Sequence, residues 1–234
     1  MRKTGGGVVL RLGMAAVWMS LLAIPVHSWA DSPEALAPGL DYVDPQTIKG
    51  PKSFLEGYPS TTPDNGVYVV VEIPAGTNAK WEVTKPDGLL RWEEKNGKPR
   101  VVKYLAYPGN YGMVPQTLLP EEDGGDGDPL DVLILGSALP RGSVARVRVL
   151  GVLRLLDRGQ RDDKLIAIPL DHPVIQAHSL KELDEKHPGV LTIVETWFVN
   201  YKGPGKMTSR GYGNALEAAR MLRQATRAYR RNHP

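Results

Sequence analysis

The chain has 234 residues, a formal net charge of +3 from 29 Lys and Arg against 26 Asp and Glu, and no cysteine. Without thiols there is neither a disulfide framework nor a thiolate metal site, and the scattered histidines show no zinc-ligand spacing. Arg2, Lys3 and Arg11 carry the whole positive excess, so the rest of the chain is neutral and offers nucleic acid no concentrated positive surface.

Those three cations precede an apolar stretch at residues 13–26, and Ser28-Trp29-Ala30 supplies small residues before a cleavage point. Residues 1–30 therefore read as a secretory signal peptide, which predicts export, with the periplasm as the favoured destination. The apolar run falls short of the ~18–20 residues that span a bilayer. An uncleaved anchor is the alternative, and no stable span is expected after cleavage. Residues 31–66 carry Pro33, Pro38, Pro45, Pro51, Pro59 and Pro63 and read as an extended lead-in over the surface. Residues 67–234 then form a single domain.

Residues 67–83, VYVVVEIPAGTNAKWEV, read as a strand, a turn from Pro74 to Asn78, and a second strand. Glu72 lies near the end of the apolar stretch, where a carboxylate is costly unless paired or bound to metal. Lys80 and Glu82 share one strand face, for which an edge-strand ion pair is the plain structural explanation. Residues 125–133, GDGDPLDVL, place Asp126, Asp128 and Asp131 within six positions beside Gly125, Gly127 and Pro129. Carboxylate oxygens in such a cluster suit Mg²⁺, Mn²⁺ or Ca²⁺; a solvated acidic turn is the alternative. A helix–loop–helix calcium site is excluded, because its sixth position is Asp131 rather than Gly and its twelfth is Ser137 rather than Glu. The run Val132 to Leu135 predicts a buried strand that anchors the loop.

Residues 149–156 and 165–169 form two further apolar runs, joined by a loop containing Asp157, Asp162 and Asp163. Lys164 follows at once, so a cation and a metal site are poised to share one phosphate ligand. Helical patterning is confined to the last third, over residues 190–202 and 214–231. On the second helix Leu216, Ala219, Leu222 and Ala225 are the expected buried face, opposite a row of arginines. Short β runs punctuated by Gly and Pro, followed by helices, predict an α+β fold that is mainly β: a small barrel with helices packed outside.

Four segments in order, EIPAGTNAKWEV (72–83), YPGNYGMVPQT (107–117), GDGDPLDVL and LLDRGQRDDKLIAIP (155–169), resemble the soluble family I inorganic pyrophosphatases. The resemblance runs from about residue 67 to 201 and sharpens the fold to a five-stranded OB-like barrel. It implies that Asp126, Asp131 and Asp162 hold two Mg²⁺ ions, with Mn²⁺ as a possible substitute, and that Asp157, Glu72 and Glu82 assist with further metal. Asp128 is implied to orient or deprotonate the water between the metals. Lys80, Arg100, Lys164, Tyr201 and Lys202 are implied to hold phosphate oxygens, with Tyr107 and Tyr111 lining the cavity. Arg91 competes with Arg100, and Arg158 stands where many members carry an acidic residue. Inorganic pyrophosphate is the implied substrate and a homo-oligomer, dimer or hexamer, the implied assembly. The alternatives are an OB-like module that binds phosphorylated ligands and a phosphohydrolase for organic diphosphates.

Overall fold

Valine- and leucine-rich runs form strands where the sequence places them, because branched side chains pack well on a pleated, buried surface. The structure is a computed structural model that describes residues 1, 36–171 and 173–233, so the expected leader lies outside the described residues. In chain order the strands are β1 (Asp41–Asp44), β2 (Thr47–Lys49), β3 (Val67–Ile73), β4 (Trp81–Val83), β5 (Leu90–Trp92), β6 (Glu94–Lys95), β7 (Lys98–Pro99), β8 (Asn110–Met113), β9 (Asp131–Ile134), β10 (Val144–Asp157), β11 (Gln160–Arg161) and β12 (Lys164–Pro169). Helices α1 (Leu180–Lys186) and α2 (Val190–Asn200), strand β13 (Met207–Asn214) and helix α3 (Ala215–Asn232) complete them.

Five of these strands close on themselves. β3 pairs with β8, β8 with β9, β9 with β12, β12 with β10, and β10 returns to β3. Only the β9–β12 step is parallel. This is the expected five-stranded OB-like barrel, and closure leaves none of the five as a free edge. The parallel pair is buried on both faces, hence its unbroken apolar runs. Leu133 and Ile166 pack with Trp197 and Phe198 of α2, while Val132, Ile134, Leu165 and Ala167 pack with Ala218, Met221 and Ala225 of α3.

Two irregularities shape the barrel. In β10 the register shifts between Val149 and Gly151, and a Cβ at Gly151 would lie 2.4 Å from the Gly213 carbonyl oxygen. Glycine there lets the long strand bend and serve β12, β13 and β3 together. In β3 the register shifts between Val71 and Ile73, so Glu72 is the extra residue of a bulge opposite β8.

The segment expected as an extended lead-in is, over its described part, built into the fold. β1 and β2 join β5 and β4 in a four-stranded sheet, and Ile48 and Phe54 are fully buried with Trp81 and Leu90. Proline spacing concealed these short strands, because each is only three or four residues long. The last helix starts at the expected Asn214, whose side chain accepts a hydrogen bond from the Glu217 N–H at 3.0 Å. Of the expected face, Ala225 is buried and Leu222 packs partly buried against the core, but Leu216 is exposed, and Ala218, Met221 and Ala228 complete the covered side. Small residues on that face let the helix approach β10 closely. Among the described residues no helix is long and apolar enough to cross a membrane.

Candidate active site

The β3 bulge sets the first side chain of the site. Pairing with β8 slips by one residue at Glu72, and the freed carboxylate enters a cavity of about 370 Å³. Its backbone carbonyl accepts from buried Arg141 at 2.5 Å, and its Oε1 accepts from the Val83 N–H at 2.7 Å. That carboxylate is 4% exposed, and burial, opposed by Lys80, pushes its pKa up to about 8.

β4 and its lead-in bring Lys80 and Glu82 to the same wall, 3.6 Å apart. Burial works against the Lys80 charge, but Tyr107, Glu72, Glu82 and Asp131 together hold its pKa above the ordinary lysine range. Tyr111 of β8 lies beneath two cations, with Lys80 Nζ 5.5 Å and Lys164 Nζ 6.0 Å from its ring centroid.

The acidic loop before β9 delivers Asp126 and Asp128, and Asp131 is the first residue of β9 itself. Leu130, Val132, Leu133 and Ile134 are fully buried and anchor this loop as predicted. Gly127 holds φ 76°, a left-handed turn that glycine adopts freely, and the Asp128 N–H donates to Asp126 Oδ1 at 3.0 Å. Burial and the nearby Asp128 and Asp131 charges raise the Asp126 pKa, against the hydrogen bond from the Asp128 N–H. Asp162 and Asp163 diverge: Asp162 lines the cavity, whereas Asp163 accepts from the Leu155 N–H and from Arg161 and serves the loop. Lys164, 2% exposed, donates to Asp131 at 2.5 Å and also to Asp162. Burial disfavours its charge, but those two carboxylates outweigh burial and raise its pKa.

Tyr201 follows the last turn of α2, and its ring stacks on Trp197 at 4.7 Å and 13°. Buried Trp197 and Phe198 thereby fix where Tyr201 and Lys202 meet the cavity. Arg100 enters from the chain after β7, gripped by both Glu93 carboxylate oxygens at 2.7 and 2.6 Å. Its rival Arg91 pairs with Asp87 at 2.8 Å and is not part of the cavity wall.

Twelve of the fourteen site residues inferred from sequence line this cavity. Two do not. Tyr107 was expected in the wall, but it is 3% exposed and packs behind Tyr111 against Trp197, with ring centroids 5.4 and 4.4 Å away. Asp157, expected to assist with metal, lines a neighbouring basin instead. Lys202 stands between it and the cavity, 2.7 Å from Asp157 Oδ2 and 3.5 Å from Asp162.

Sequence reasoning missed Lys85. It lines the cavity, ion-pairs with Asp128 and donates to the Gly127 carbonyl at 2.7 Å. Its only signal was a lysine three residues past Glu82, beyond the end of an already recognised strand.

The donor chemistry suits a hard divalent cation. Asp126, Asp131, Asp162, Glu72 and Glu82 offer only oxygen ligands to one cavity, and burial raises the pKa of Glu72 and Asp126. Asp157 Oδ1 is buried with no hydrogen-bond partner among the described residues. Among the described residues no three carboxylates close into a cage, and the Lys164 ammonium supplies the charge between Asp131 and Asp162.

A family model described as inorganic pyrophosphatase matches residues 69–230. The chain is 36% identical to inorganic pyrophosphatase 1 of Caenorhabditis elegans over 67% of its own length and 42% of the relative's. It is 38% identical to the inorganic pyrophosphatase of Helicobacter pylori over 69% of its own length and 90% of the relative's. Against the Caenorhabditis and Kluyveromyces lactis relatives, covered over 42% and 54%, the chain spans about half the relative's length. The solved inorganic pyrophosphatase of Schistosoma japonicum superposes with a TM-score of 0.70 at 32% identity, over 76% of this chain and 71% of that one. The Helicobacter pylori enzyme superposes with a TM-score of 0.61 at 34% identity, over 75% and 99%. The barrel, the acidic cavity within it and the match over residues 69–230 agree: the chain belongs to the inorganic pyrophosphatase family.

Proposed function

We propose that the chain hydrolyses inorganic pyrophosphate to two phosphates, with Mg²⁺ as its working cation and Mn²⁺ as a substitute. The observation that carries this reading is the composition of one cavity, whose lining holds Asp126, Asp128, Asp131 and Asp162 together with Lys80, Arg100, Lys164 and Lys202. Carboxylates alone repel a diphosphate, and cations alone bind it without activating water. Both are needed for phosphoryl transfer, where positioning and charge stabilisation do most of the catalytic work.

Asp126, Asp131 and Asp162 would hold the divalent cation, which would supply charge neutralisation for phosphoryl oxygens and a more acidic water. Asp128 is the base of this scheme. Its side chain is 56% exposed, against 28% for Asp131 and 16% for Asp162, so it reaches a water at the mouth. Lys85 beside it offsets the negative charge of its carboxylate when no proton is bound. Lys80 and Arg100, both held charged by neighbouring acidic or phenolic groups, bind phosphate oxygens. Lys164, held between Asp131 and Asp162, adds a further cation for phosphate oxygens. Tyr201 and Lys202 close the side of the cavity nearest α2 and orient the departing phosphate.

The test is phosphate release from pyrophosphate by the full chain, with and without Mg²⁺, alongside an organic diphosphate. Fast release that depends on the cation and does not extend to the organic diphosphate supports the reading. A folded protein that releases no phosphate contradicts it.

Two further expectations belong to the same reading. Export rests on the cations of residues 2–11 ahead of the apolar stretch, and sequencing the N-terminus of protein recovered from the periplasm checks it. Self-association rests on the family resemblance, and sedimentation at working concentration checks that.

A further inference from the structure

Beside the cavity lies a basin of about 1020 Å³, and Arg100, Tyr201 and Lys202 line both. Three segments build the basin: the β6–β7 hairpin with the chain after it, the β10–β11 turn, and the loop from α2 to β13. The hairpin turns on Asn96 and Gly97 with φ 55° and 68°, a two-residue connection suited to Asn-Gly. That turn sets Lys95 directly across from Lys98. Like charges opposed in a strand pair destabilise it, so folding gives no reason for the arrangement. At the β10–β11 turn Arg158 holds φ 51°, a left-handed conformation that is costly for a side chain of its kind. Its N–H donates to the Lys206 carbonyl at 2.8 Å, which ties two basic segments of the rim together.

Lys95, Lys98, Lys103, Arg158 and Lys206 all line the basin, and among the described residues none of the five has an ion-pair partner. The basin wall contains one carboxylate, Asp157, already engaged by Lys202 at 2.7 Å. A chain whose charge outside its first thirty residues is balanced thus concentrates five unpaired cations next to its phosphate-handling cavity.

We propose that the basin holds the distal phosphates of a linear condensed phosphate, tripolyphosphate or longer, while its terminal anhydride occupies the cavity. The inference rests on the hydrolase reading and widens its substrate class. Each added phosphate unit brings one further negative charge at regular spacing, which a row of lysines on three segments matches better than a single tight pocket would. A nucleoside is a poor occupant. Tyr201 is the one aromatic residue in the basin wall, and Trp197 already stacks on its ring, so no pair of rings remains to hold a base.

The reaction balances as a hydrolysis. The water oxygen bonds to the terminal phosphorus in the cavity, and the P–O bond to the bridging oxygen breaks. That oxygen leaves with the electron pair as the end of the shortened chain, whose other phosphates stay on the basin. The water proton passes to the Asp128 carboxylate and then to solvent or the leaving oxygen. From tripolyphosphate the products are orthophosphate and diphosphate, and the diphosphate is itself a substrate of the cavity.

The test compares the full-length native protein with the variant Lys98→Gln/Lys103→Gln/Lys206→Gln, whose three positions are exposed and lie outside the catalytic cavity. On tripolyphosphate the variant is expected to lose at least tenfold in kcat/KM, while on pyrophosphate it stays within about twofold. Equal losses on both substrates overturn the proposal, because they describe long-range steering of any anion. No loss on either substrate, a native protein that cleaves pyrophosphate but not tripolyphosphate, or basin-dependent cleavage of ATP at the tripolyphosphate rate also overturns it. Should pyrophosphate cleavage itself be absent, calorimetric binding of tripolyphosphate separates the two ideas. Weaker binding by the triple variant than by the native chain then upholds the basin, and equal binding sinks it.

Discussion

The chemistry depends on single carboxylates placed where burial makes their charge expensive. Glu72 is the clearest case. With its pKa raised from 4.5 to about 8 in the folded chain, it keeps a proton across a pH range where the unfolded chain has lost it. Its contribution to stability is present below about pH 4.5 and is lost as pH rises towards 8, with a slope of at most ~1.4 kcal/mol per pH unit. In metal-free buffer the urea midpoint of the native protein should therefore fall more steeply between pH 5 and pH 8 than that of Glu72→Gln. Parallel midpoints would show that Glu72 is not held neutral by burial. Asp131 acts differently, as a cavity carboxylate already in contact with a cation. Asp131→Ala should raise the Mg²⁺ concentration for half-maximal rate by about tenfold, measured by titrating activity with the ion. An unchanged requirement would place the cation elsewhere.

Irregularities in the elements turn these residues towards one another. The β3 bulge that exposes Glu72 to the cavity depends on close approach of β8, because a Cβ at Gly112 would lie 1.8 Å from the Val70 carbonyl oxygen. Gly112→Ala should therefore destabilise the protein by roughly 2–4 kcal/mol in chemical denaturation and lower activity with it. A change within ±0.5 kcal/mol would mean that the pair can part without cost. At this scale the sequence was legible where a run was long or strongly marked. The strand after GDGDPLD, the acidic loop before β12 and the start of α3 all lie where patterning puts them. Patterning could not resolve which side chains the barrel turns outward. Tyr107 and Tyr111 are equivalent in YPGNY, yet only one reaches the wall, because Trp197 on α2 covers the other. Lys85 escaped notice because its contact with Asp128 joins loops more than forty residues apart. The covered face of α3 is turned from the expected one, keeping Ala225 and part of Leu222 while leaving Leu216 exposed.

For the molecule as a whole, barrel closure gathers the site. Glu72, Tyr111, Asp131 and Lys164 stand on β3, β8, β9 and β12, which are successive neighbours around the barrel. Fixing them on paired strands rather than on free loops limits the reorganisation needed when substrate arrives. Carboxylates come mainly from the barrel and its acidic loops, Lys164 from the barrel strand β12, and Tyr201 and Lys202 from the end of α2. In the proposed reaction Asp128 takes the proton, whereas every other group binds or orients. Steady-state phosphate release by Asp128→Asn, measured beside calorimetric Mg²⁺ binding, tests this directly. The account predicts a loss of about 10²–10⁴-fold in turnover with metal affinity little changed, because the substitution keeps the shape and removes the base. Native turnover in that variant would contradict it.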